Sequence, residues 1–483
     1  MLSQHSFLIL DASVSFLKSS VAAVLLHAPS EDIEIVIGDN AADPRTWEMT
    51  LRLAKDNPGK ISIWQNRCPL TLAQNRVKAI QMCTGKTYTE LSETSANISA
   101  MIQEAMRGAS RFCKPIPPQY SNRYPAIRPI TAKPRGKTPA TSVCIHNYNY
   151  GQFLHECLGS VFAQTDSDFE VCFSDNASED DSWDIALGYA ARYPGRMNLC
   201  RNRRNFGAVI NHNNAYVHAQ GRYLLRVCSD DALKPTFLAE CRAALTRFPE
   251  AGFVMVHRDI LDDEGHIESE PPFYNTACLI PGTGQAAVYM MASVNPTLSQ
   301  VFYDLEKREP HQVMGVLNHR WFGDRISDFN MCCAGHPVVY LDKALVYHRV
   351  HATSDSNRLT DNLIQCVSHY VLIHQMAEEA SAIPGLESVS NRLDPARIKS
   401  AELCIRYALN ALVNNKTTVA RRYTHLACAL SADIEDSPSF KALDAFWHLS
   451  PLEQTRFIEQ LKSNPASVRR TVSYPPPPGS IPL

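Results

Sequence analysis

The sequence predicts an α/β protein with a Rossmann-like mixed, mostly parallel sheet, preceded by a truncated α/β half and followed by an all-helical C-terminal domain. Three observations predict it. Strand and helix patterns alternate over residues 141–231, a similar pattern occupies 1–112, and strand patterns stop after about residue 358. Alternating elements of this length favour a parallel sheet with helices on both faces. In such sheets, ligands bind outside the carboxyl ends of the strands.

The elements of the second α/β region follow one another with clear boundaries. Leu154, Leu158 and Val161 share one face of a predicted helix. Pro194-Gly195 ends the next helix, and Gly221 ends the third. The predicted strands are 141–148, 169–178, 197–202 and 222–231, and the predicted helices are 153–164, 182–193 and 208–221. Beyond them, amphipathic helices are predicted at 360–381, 395–414, 417–431 and 438–462.

Five parts result from this pattern. They are a truncated α/β half at 1–112, a Pro-rich linker at 113–139, a complete α/β domain at 140–358, a helical domain at 359–470 and a Pro-rich tail at 471–483. Repeated proline removes backbone donors and blocks helix, which is typical of a linker. For the tail we expect a polyproline-II-like disordered end, with a site for a proline-recognising module as the alternative.

Composition excludes several function classes. The 483 residues are 45% hydrophobic, and 47 basic against 49 acidic side chains leave a net charge of −2. This balance excludes a strongly basic nucleic-acid-binding protein. No apolar run reaches the roughly 18 residues of a membrane helix, and the apolar stretch at 7–26 is interrupted by Asp11 and Lys18, so we do not interpret it as a signal peptide. The 15 cysteines contain no C-x-x-C pair, which favours reduced, buried thiols in a cytoplasmic protein over zinc sites.

The two α/β regions resemble each other at a fixed offset of 136 residues. Asp39-Asn40-Ala41 falls on Asp175-Asn176-Ala177, and Trp47 falls on Trp183. Further matches are Pro58-Gly59 with Pro194-Gly195, Asn66-Arg67 with Asn202-Arg203, Asn75 with Asn211, and Gly85 with Gly221. Because the register never slips between 39 and 85, we interpret it as an internal duplication.

Acidic residues stand where two predicted strands of the second copy end. Asp175 follows one strand, and Asp230 and Asp231 follow another. Adjacent carboxylates repel each other unless a cation or hydroxyl groups pair with them. Carboxylate oxygens are the ligands that Mg²⁺ and Mn²⁺ prefer. The alternative is a solvated turn with a helix cap.

The blocks TSVCIHNYNYGQFLHECLGSVFAQT, FEVCFSDNASEDDS and RNRRNFGAVINHNNAYVHAQGRYLLRVCSDD resemble the family 2 glycosyltransferases, which have the GT-A fold. The resemblance extends from about residue 140 to about 356. It implies that Asp175 contacts the donor's base, that Asp230 contacts the ribose or assists at the metal, and that Asp231 ligates Mn²⁺ or Mg²⁺. Four further donor-site residues are implied: Tyr148, Asn205, Gly207 and Asn213. A tight turn at the glycine and capping by the asparagines are the alternatives.

The block WFGDRISDFNMCCAGHPVVYLDKALVYHRVHATSDS resembles the family's acceptor segment. Counted back from Gly335, Asp324 falls on the family's catalytic base, and Asp328, one helical turn later, is its rival. The resemblance also implies that His351 completes the metal site, with a hydrogen-bonded loop histidine as the alternative. Two departures are His146-Asn147, where the family usually has Pro-Thr or Pro-Ala, and Gly323, where it often has Glu.

The resemblance implies a metal-dependent inverting glycosyltransferase that moves a sugar from a nucleotide-diphosphate donor, expected to be a UDP- or dTDP-sugar, to an acceptor hydroxyl. The acceptor would be a glycan or a lipid- or protein-linked group in the synthesis of surface polysaccharide or glycoconjugate. We expect a cytoplasmic protein; peripheral attachment at the inner membrane face or to a protein partner is the alternative. A rival interpretation is an inactive scaffold. A nucleotidyltransferase is disfavoured because there is no Gly-rich phosphate loop near the N-terminus.

The first copy should be non-catalytic. Thr94 and Ser95 stand opposite Asp230 and Asp231, Thr71 stands opposite Gly207, and Val77 stands opposite Asn213. Hydroxyl and methyl groups are poor replacements for anionic ligands. We therefore expect residues 1–112 to be a degenerate half that packs on the active domain or on a partner.

Overall fold

The structure is a computed structural model. It describes residues 5–10, 12–28, 33–39, 44–57, 60–65, 83, 87–94, 97–107, 114–115, 126–130, 138–202, 204–216, 219–291, 294–307, 323–351, 361–463 and 472–483. Two compact units divide the chain. The first takes in Met1–Asp230, and the second takes in Asp231–Arg308 and Gly315–Leu483.

The first half of the first unit is a sheet with strand order β3-β2-β1-β4-β5. Its strands are β1 (His5–Leu10), β2 (Ile33–Asp39), β3 (Ile61–Gln65), β4 (Thr87–Leu91) and β5 (Lys114–Pro115), and its helices are α1 (Val14–His27), α2 (Pro44–Asp56) and α3 (Ile98–Met106). β1 to β4 are parallel, and β5 is antiparallel to β4. Apolar residues of β1, β2 and α1 form the core of this half.

The second half repeats this order, with β9-β8-β7-β10 corresponding to β3-β2-β1-β4. Its elements are β6 (Ala126–Ile130), β7 (Thr141–Asn147), α4 (Gly151–Phe162), β8 (Phe169–Asp175), α5 (Ser182–Arg192), β9 (Met197–Asn202), α6 (Ala208–Tyr216) and β10 (Tyr223–Cys228). The predicted strands and helices of this half are confirmed, although α6 ends five residues earlier than expected.

Strand register is the same in the two halves once 136 is added to each residue number. The first pairs in the first half are His5 with Ile33, Ile35 with Ile61 and His5 with Thr87. Those in the second half are Thr141 with Phe169, Val171 with Met197 and Thr141 with Tyr223. A one-residue slip would turn every side chain to the opposite face, so the two halves bury equivalent positions. Internal duplication remains our interpretation of this correspondence.

A buried polar pair also recurs. Ser6 Oγ donates to Glu34 Oε2 at 3.1 Å in the first half, and Ser142 Oγ donates to Glu170 Oε1 at 2.7 Å in the second. Both pairs join the first two strands of their half, 28 residues apart in sequence.

Parts of the predicted linker are strands. β5 extends the first sheet, and β6 runs antiparallel to β9. Both strands contain proline and pair along only one side, a position where the missing N–H is tolerated.

In the second unit, four strands lie in the order β14-β16-β12-β15. The strands of this unit are β11 (Ala232–Leu233), β12 (Phe253–Leu261), β13 (Ile267–Ser269), β14 (Cys278–Ile280), β15 (Val301–Asp304), β16 (Val338–Arg349) and β17 (Ile481–Pro482). The helices among them are α7 (Phe237–Arg247), α8 (Gly282–Met290) and α9 (Gly323–Cys333). β12 and β16 are parallel, and β11 and β14 run antiparallel to β16. α8 begins with the residues Gly282-Thr283-Gly284.

The rest of the second unit is helical, as predicted. Its helices are α10 (Ile364–Ser381), α11 (Glu387–Ser390), α12 (Leu393–Val413), α13 (Thr417–Leu430), α14 (Pro438–Phe446) and α15 (Pro451–Ser463). α12 and α13 pack against each other around a core that includes Cys404, Leu412 and Tyr423. Within the described ranges, no helix has both the length and the apolar character needed to cross a membrane.

The Pro-rich tail differs from the disordered end that its composition indicated. Residues 481–482 form β17, which pairs antiparallel with β14. Pairing with a partner just over 200 residues earlier in the chain leaves no trace in local sequence composition.

Candidate functional site

The carboxyl end of β8 carries Asp175 in a fully enclosed position. Its side chain is 0% exposed. It accepts hydrogen bonds from the backbone N–H and hydroxyl of Ser178 and from Asn147 Nδ2, and it forms an ion pair with Arg201 Nε at 3.2 Å. The buried charge is therefore fully compensated. Arg201 keeps 35% of its side chain exposed and lies 5.4 Å from the Trp183 ring, so a planar cation faces solvent at this edge of the sheet.

A chain of asparagine amides fixes the loop before α6. Asn202 Nδ2 donates to Asn176 Oδ1, and Asn176 Nδ2 in turn donates to Asn205 Oδ1, each at 2.8 Å. Asn205 Oδ1 also accepts the N–H of Gly207, whose φ of +89° lies in the left-handed region. Glycine is required there because a side chain would be strained. Asn205 and Gly207 thus lie in one loop, whereas the Asn213 side chain is buried on α6. Their role at the donor stays a prediction.

The turn after β10 holds the two consecutive carboxylates. Over the four-residue stretch 228–231, one ligand atom each from Cys228, Asp230 and Asp231 lies within 4.8 Å of the others. Burial separates the two acids: Asp230 is half-buried, whereas Asp231 is 1% exposed. The turn therefore has the ligand chemistry for a divalent cation, and its two carboxylates are not equivalent.

Asp231 is saturated with donors. Its Oδ2 accepts from Ser299 Oγ at 2.6 Å, and its Oδ1 accepts from His348 Nδ1 and the Arg349 N–H, each at 3.0 Å. Burial alone would raise the pKa of Asp231, but the His348 ring and these hydrogen bonds hold it below its ordinary value. Asp231 is therefore an ionised group that ties its own turn to the end of β16.

Ser299 is itself held by a short 3₁₀ turn at Leu298–Gln300. The Gln300 side chain caps this turn by accepting the Thr297 N–H at 2.9 Å. The same amide donates to Val256 O at 2.7 Å. The hydroxyl that binds Asp231 is thus fixed against β12.

The two candidate bases stand one turn apart on α9 but in different surroundings. Asp324 lies in the first turn and is partly exposed. Asp328 is 3% exposed and accepts the Tyr303 hydroxyl at 2.7 Å. Between them in sequence, Arg325 is buried, and burial lowers the pKa of its guanidinium, while Asp324 acts in the opposite direction. Of these two carboxylates, that of Asp324 is the more exposed.

The remaining predicted residues occupy distinct positions. Tyr148 is 40% exposed, directly after β7. His351 is buried, two residues beyond β16. Sequence reasoning missed Arg201 and Ser299: an arginine one residue before the end of β9 was a possible signal for the former, and nothing local marks the latter.

The first half lacks most of this arrangement at its equivalent positions. Gln65 stands where Arg201 stands, and Glu90 where Arg226 stands. Thr94 is exposed, with its hydroxyl 2.9 Å from that of Ser92. Glu93 Oε1 accepts the N–H of Ser13, the cap of α1, and this contact lowers the pKa of Glu93. Ser95, Thr71 and Val77, which the sequence analysis compared with Asp231, Gly207 and Asn213, lie outside the residues that the structure describes.

Comparison with protein families finds the model for glycosyl transferase family 2, which matches residues 13–91 and 142–296. The match therefore includes part of each half. An uncharacterised glycosyltransferase of Nostoc sp. is 27% identical over 222 residues, which is 44% of this chain and 66% of the relative. Chondroitin synthase of Escherichia coli is 26% identical over 152 residues, which is 32% of this chain and 21% of that protein. The chain thus spans less than two thirds of either relative.

Among solved structures, residues 1–349 of TarS from S. aureus align with 64% of this chain and 91% of their own, at 17% identity and a TM-score of 0.42. A mannosyltransferase from Pyrobaculum calidifontis, solved with GDP-Man and Mn²⁺, aligns with 70% of this chain and 88% of its own, at 14% identity and a TM-score of 0.38.

Proposed function

The chain belongs to glycosyltransferase family 2, and we propose that it transfers a sugar from a nucleoside-diphosphate donor to an acceptor hydroxyl, with inversion at the anomeric carbon and dependence on Mn²⁺ or Mg²⁺. The observation that carries this proposal is the turn at 228–231, where carboxylates gather directly after a parallel strand. The Asp175–Arg201 pair at the end of β8 supports it, because it offers a charged, planar surface at the same kind of position.

The structure favours a revised division of labour between the two neighbouring acids. Asp231 has three hydrogen bonds to protein donors, whereas Asp230 is half-buried and nearer to solvent. We therefore assign the principal metal ligand to Asp230, with Asp231 fixing the turn. In this proposal Asp230 takes the place of Asp231, which the family resemblance implied to be the metal ligand. Cys228 is a softer neighbour, and His351 stays a predicted ligand.

The donor's nucleotide is assigned to the end of β8 and the loop before α6. Arg201 presents N–H donors and a stacking face, while Asp175 holds it in place. Tyr148 offers an exposed ring after β7, and Asn205 and Gly207 shape the loop. A UDP- or dTDP-sugar is the proposed donor class.

Transfer then needs a base and a stabilised leaving group. The acceptor oxygen attacks the anomeric carbon opposite the diphosphate, and the Asp324 carboxylate takes the hydroxyl proton. A bound divalent cation would neutralise the charge that develops on the diphosphate. Asp328 is the weaker candidate for base because its carboxylate is buried and occupied by Tyr303. A single displacement inverts the anomeric centre.

A panel of nucleotide sugars, scored for nucleoside diphosphate release with Mn²⁺ and with EDTA, tests this proposal. We expect release with at least one donor, abolished by EDTA and by Asp230→Ala. An inactive scaffold would release nothing with any donor while still binding its partners. The chondroitin synthase relative suggests glycans as the first acceptors to try.

A further inference from the structure

The tail is bound along one edge of the second unit. Ile481 and Pro482 pair with Leu279 and Cys278 of β14, and the Leu483 N–H donates to Ala277 O at 3.1 Å. At its other end, the Tyr474 N–H donates to Phe273 O, and Tyr474 O accepts the Asn275 N–H, each at 2.9 Å. Both ends of the tail are therefore tied to the segment 273–280.

The middle of the tail packs against the first turn of α8. Pro477 is buried. A Cβ added at Gly284 would lie 3.2 Å from Pro477 Cβ. Gly479 has a φ of +82°, and a Cβ there would lie 3.3 Å from Pro281 Cγ. Contacts this close leave no space between the tail and α8.

α8 also packs against α9, the helix that carries Asp324, the proposed base. A Cβ at Gly282 would lie 2.5 Å from Cys332 O and 2.7 Å from His336 O, so the backbone of α8 touches the end of α9. Further along α8, Tyr289 is buried; burial and the nearby Asp328 raise its pKa. α8 is thus held between the tail and α9.

We propose that residues 472–483 are a built-in strap of the transferase domain, which occupies the edge of β14 and holds α8 against α9 so that Asp324 is correctly placed. Extended peptides add to exposed sheet edges through backbone hydrogen bonds. Proline suits this role because a polyproline segment is already extended and loses little entropy on binding. The strap positions Asp324 and touches no substrate, and its effect on transfer rests on the proposed function.

A matched pair of helix variants in the full chain tests the strap. Gly284→Leu places a side chain against Pro477, whereas Gly188→Leu in α5 is a control at a site where an added Cβ would have nothing within 4 Å. We expect Gly284→Leu to accelerate hydrogen exchange at the Tyr474 and Leu483 amides by ~10-fold or more, because these amides lose their partners. We also expect it to accelerate exchange in α9 and to lower kcat about tenfold with the donor KM unchanged. Gly188→Leu should change none of these.

A second pair acts from the tail itself. Gly479→Val strains the strap, while Gly195→Val, at a φ of +79°, strains the turn after α5 in the first unit and is the control. Faster hydrogen exchange at the tail amides together with an unchanged kcat would overturn the positioning role. Unchanged exchange rates at the tail amides in both Gly284→Leu and Gly479→Val would overturn the strap itself. If the wild type transfers from no donor, the proposed function fails, and exchange in α9 alone then decides the strap: acceleration in Gly284→Leu supports it, and no change refutes it.

Discussion

The two halves of the first unit share a strand scaffold and differ at the carboxyl ends of their strands. Strand order, register and a buried serine–glutamate pair are repeated at an offset of 136 residues. The second half adds an ion-paired arginine at the end of β9 and carboxylates after β10, where the first half has Gln65 and an exposed Thr94. The repeated features lie within strands, and the differing ones lie at their carboxyl ends. The same strand scaffold can therefore carry different residues at its carboxyl ends.

The largest effect is expected at Asp324, the proposed base. Asp324→Asn keeps the shape of the side chain and removes its basicity, so kcat should fall by ~10²- to 10⁴-fold with donor affinity retained. Steady-state kinetics with saturating donor would measure it.

Asp328→Asn is the matched control, since an asparagine oxygen can still accept from Tyr303. Its kcat should change less than about threefold. The reverse pattern, a large loss in Asp328→Asn and near silence in Asp324→Asn, would move the base by one helical turn.

A large stability effect is expected at Asp231. Asp231→Ala leaves the Ser299 hydroxyl, the His348 ring and the Arg349 N–H without their acceptor, which should lower the free energy of unfolding by ~3–5 kcal/mol. Urea unfolding would measure the change. Asp230→Ala should cost less than about 1 kcal/mol, because this side chain is half-buried. Equal losses in the two variants would remove the distinction drawn between these acids.

The two halves should also respond differently to acid. His5, opposite Thr141 of the second half, is buried between Thr87 and Thr89, and burial lowers its pKa from 6.5 to about 4. Between those values the unfolded chain binds a proton that the folded chain does not. Stability present above pH 6.5 is therefore lost as the pH falls towards 4, by up to roughly 3 kcal/mol.

His5→Thr, which copies the second half, should remove this part of the pH dependence. Hydrogen exchange of the β1 amides at several pH values would follow it without interference from the other domains. An unchanged pH profile in the variant would show that another group is responsible.

The smallest effect is expected at Thr94, which stands opposite Asp230. Because this side chain is exposed and uncharged, Thr94→Ala should alter Mn²⁺-dependent nucleotide affinity and stability by less than about 0.5 kcal/mol. A measurable loss of nucleotide affinity would mean that the first half takes part in binding.

Features of this fold that depend on residues near each other in the chain could be predicted from the sequence, whereas those that depend on residues far apart in the chain could not. The constant offset predicted two scaffolds of equivalent register, because helix and strand periods are local properties. Asp175, Asp230 and Asp231 were predicted as site residues because acids directly after strands lie at one edge of a parallel sheet. The burial of Asp231 was not predictable, since its partners Ser299 and His348 are 68 and 117 residues away. Docking of the tail on β14 depends on a contact of the same long-range kind.

The most direct test of the account is a calorimetric count of nucleotide sites. UDP and dTDP, each with Mn²⁺, would be titrated into the full chain and into Asp230→Ala. We expect one metal-dependent site per chain for at least one of these nucleotides. This site should be absent in Asp230→Ala and unaffected by Thr94→Ala. Two sites per chain, or one that survives in Asp230→Ala, would contradict the claim that only the second half binds the donor.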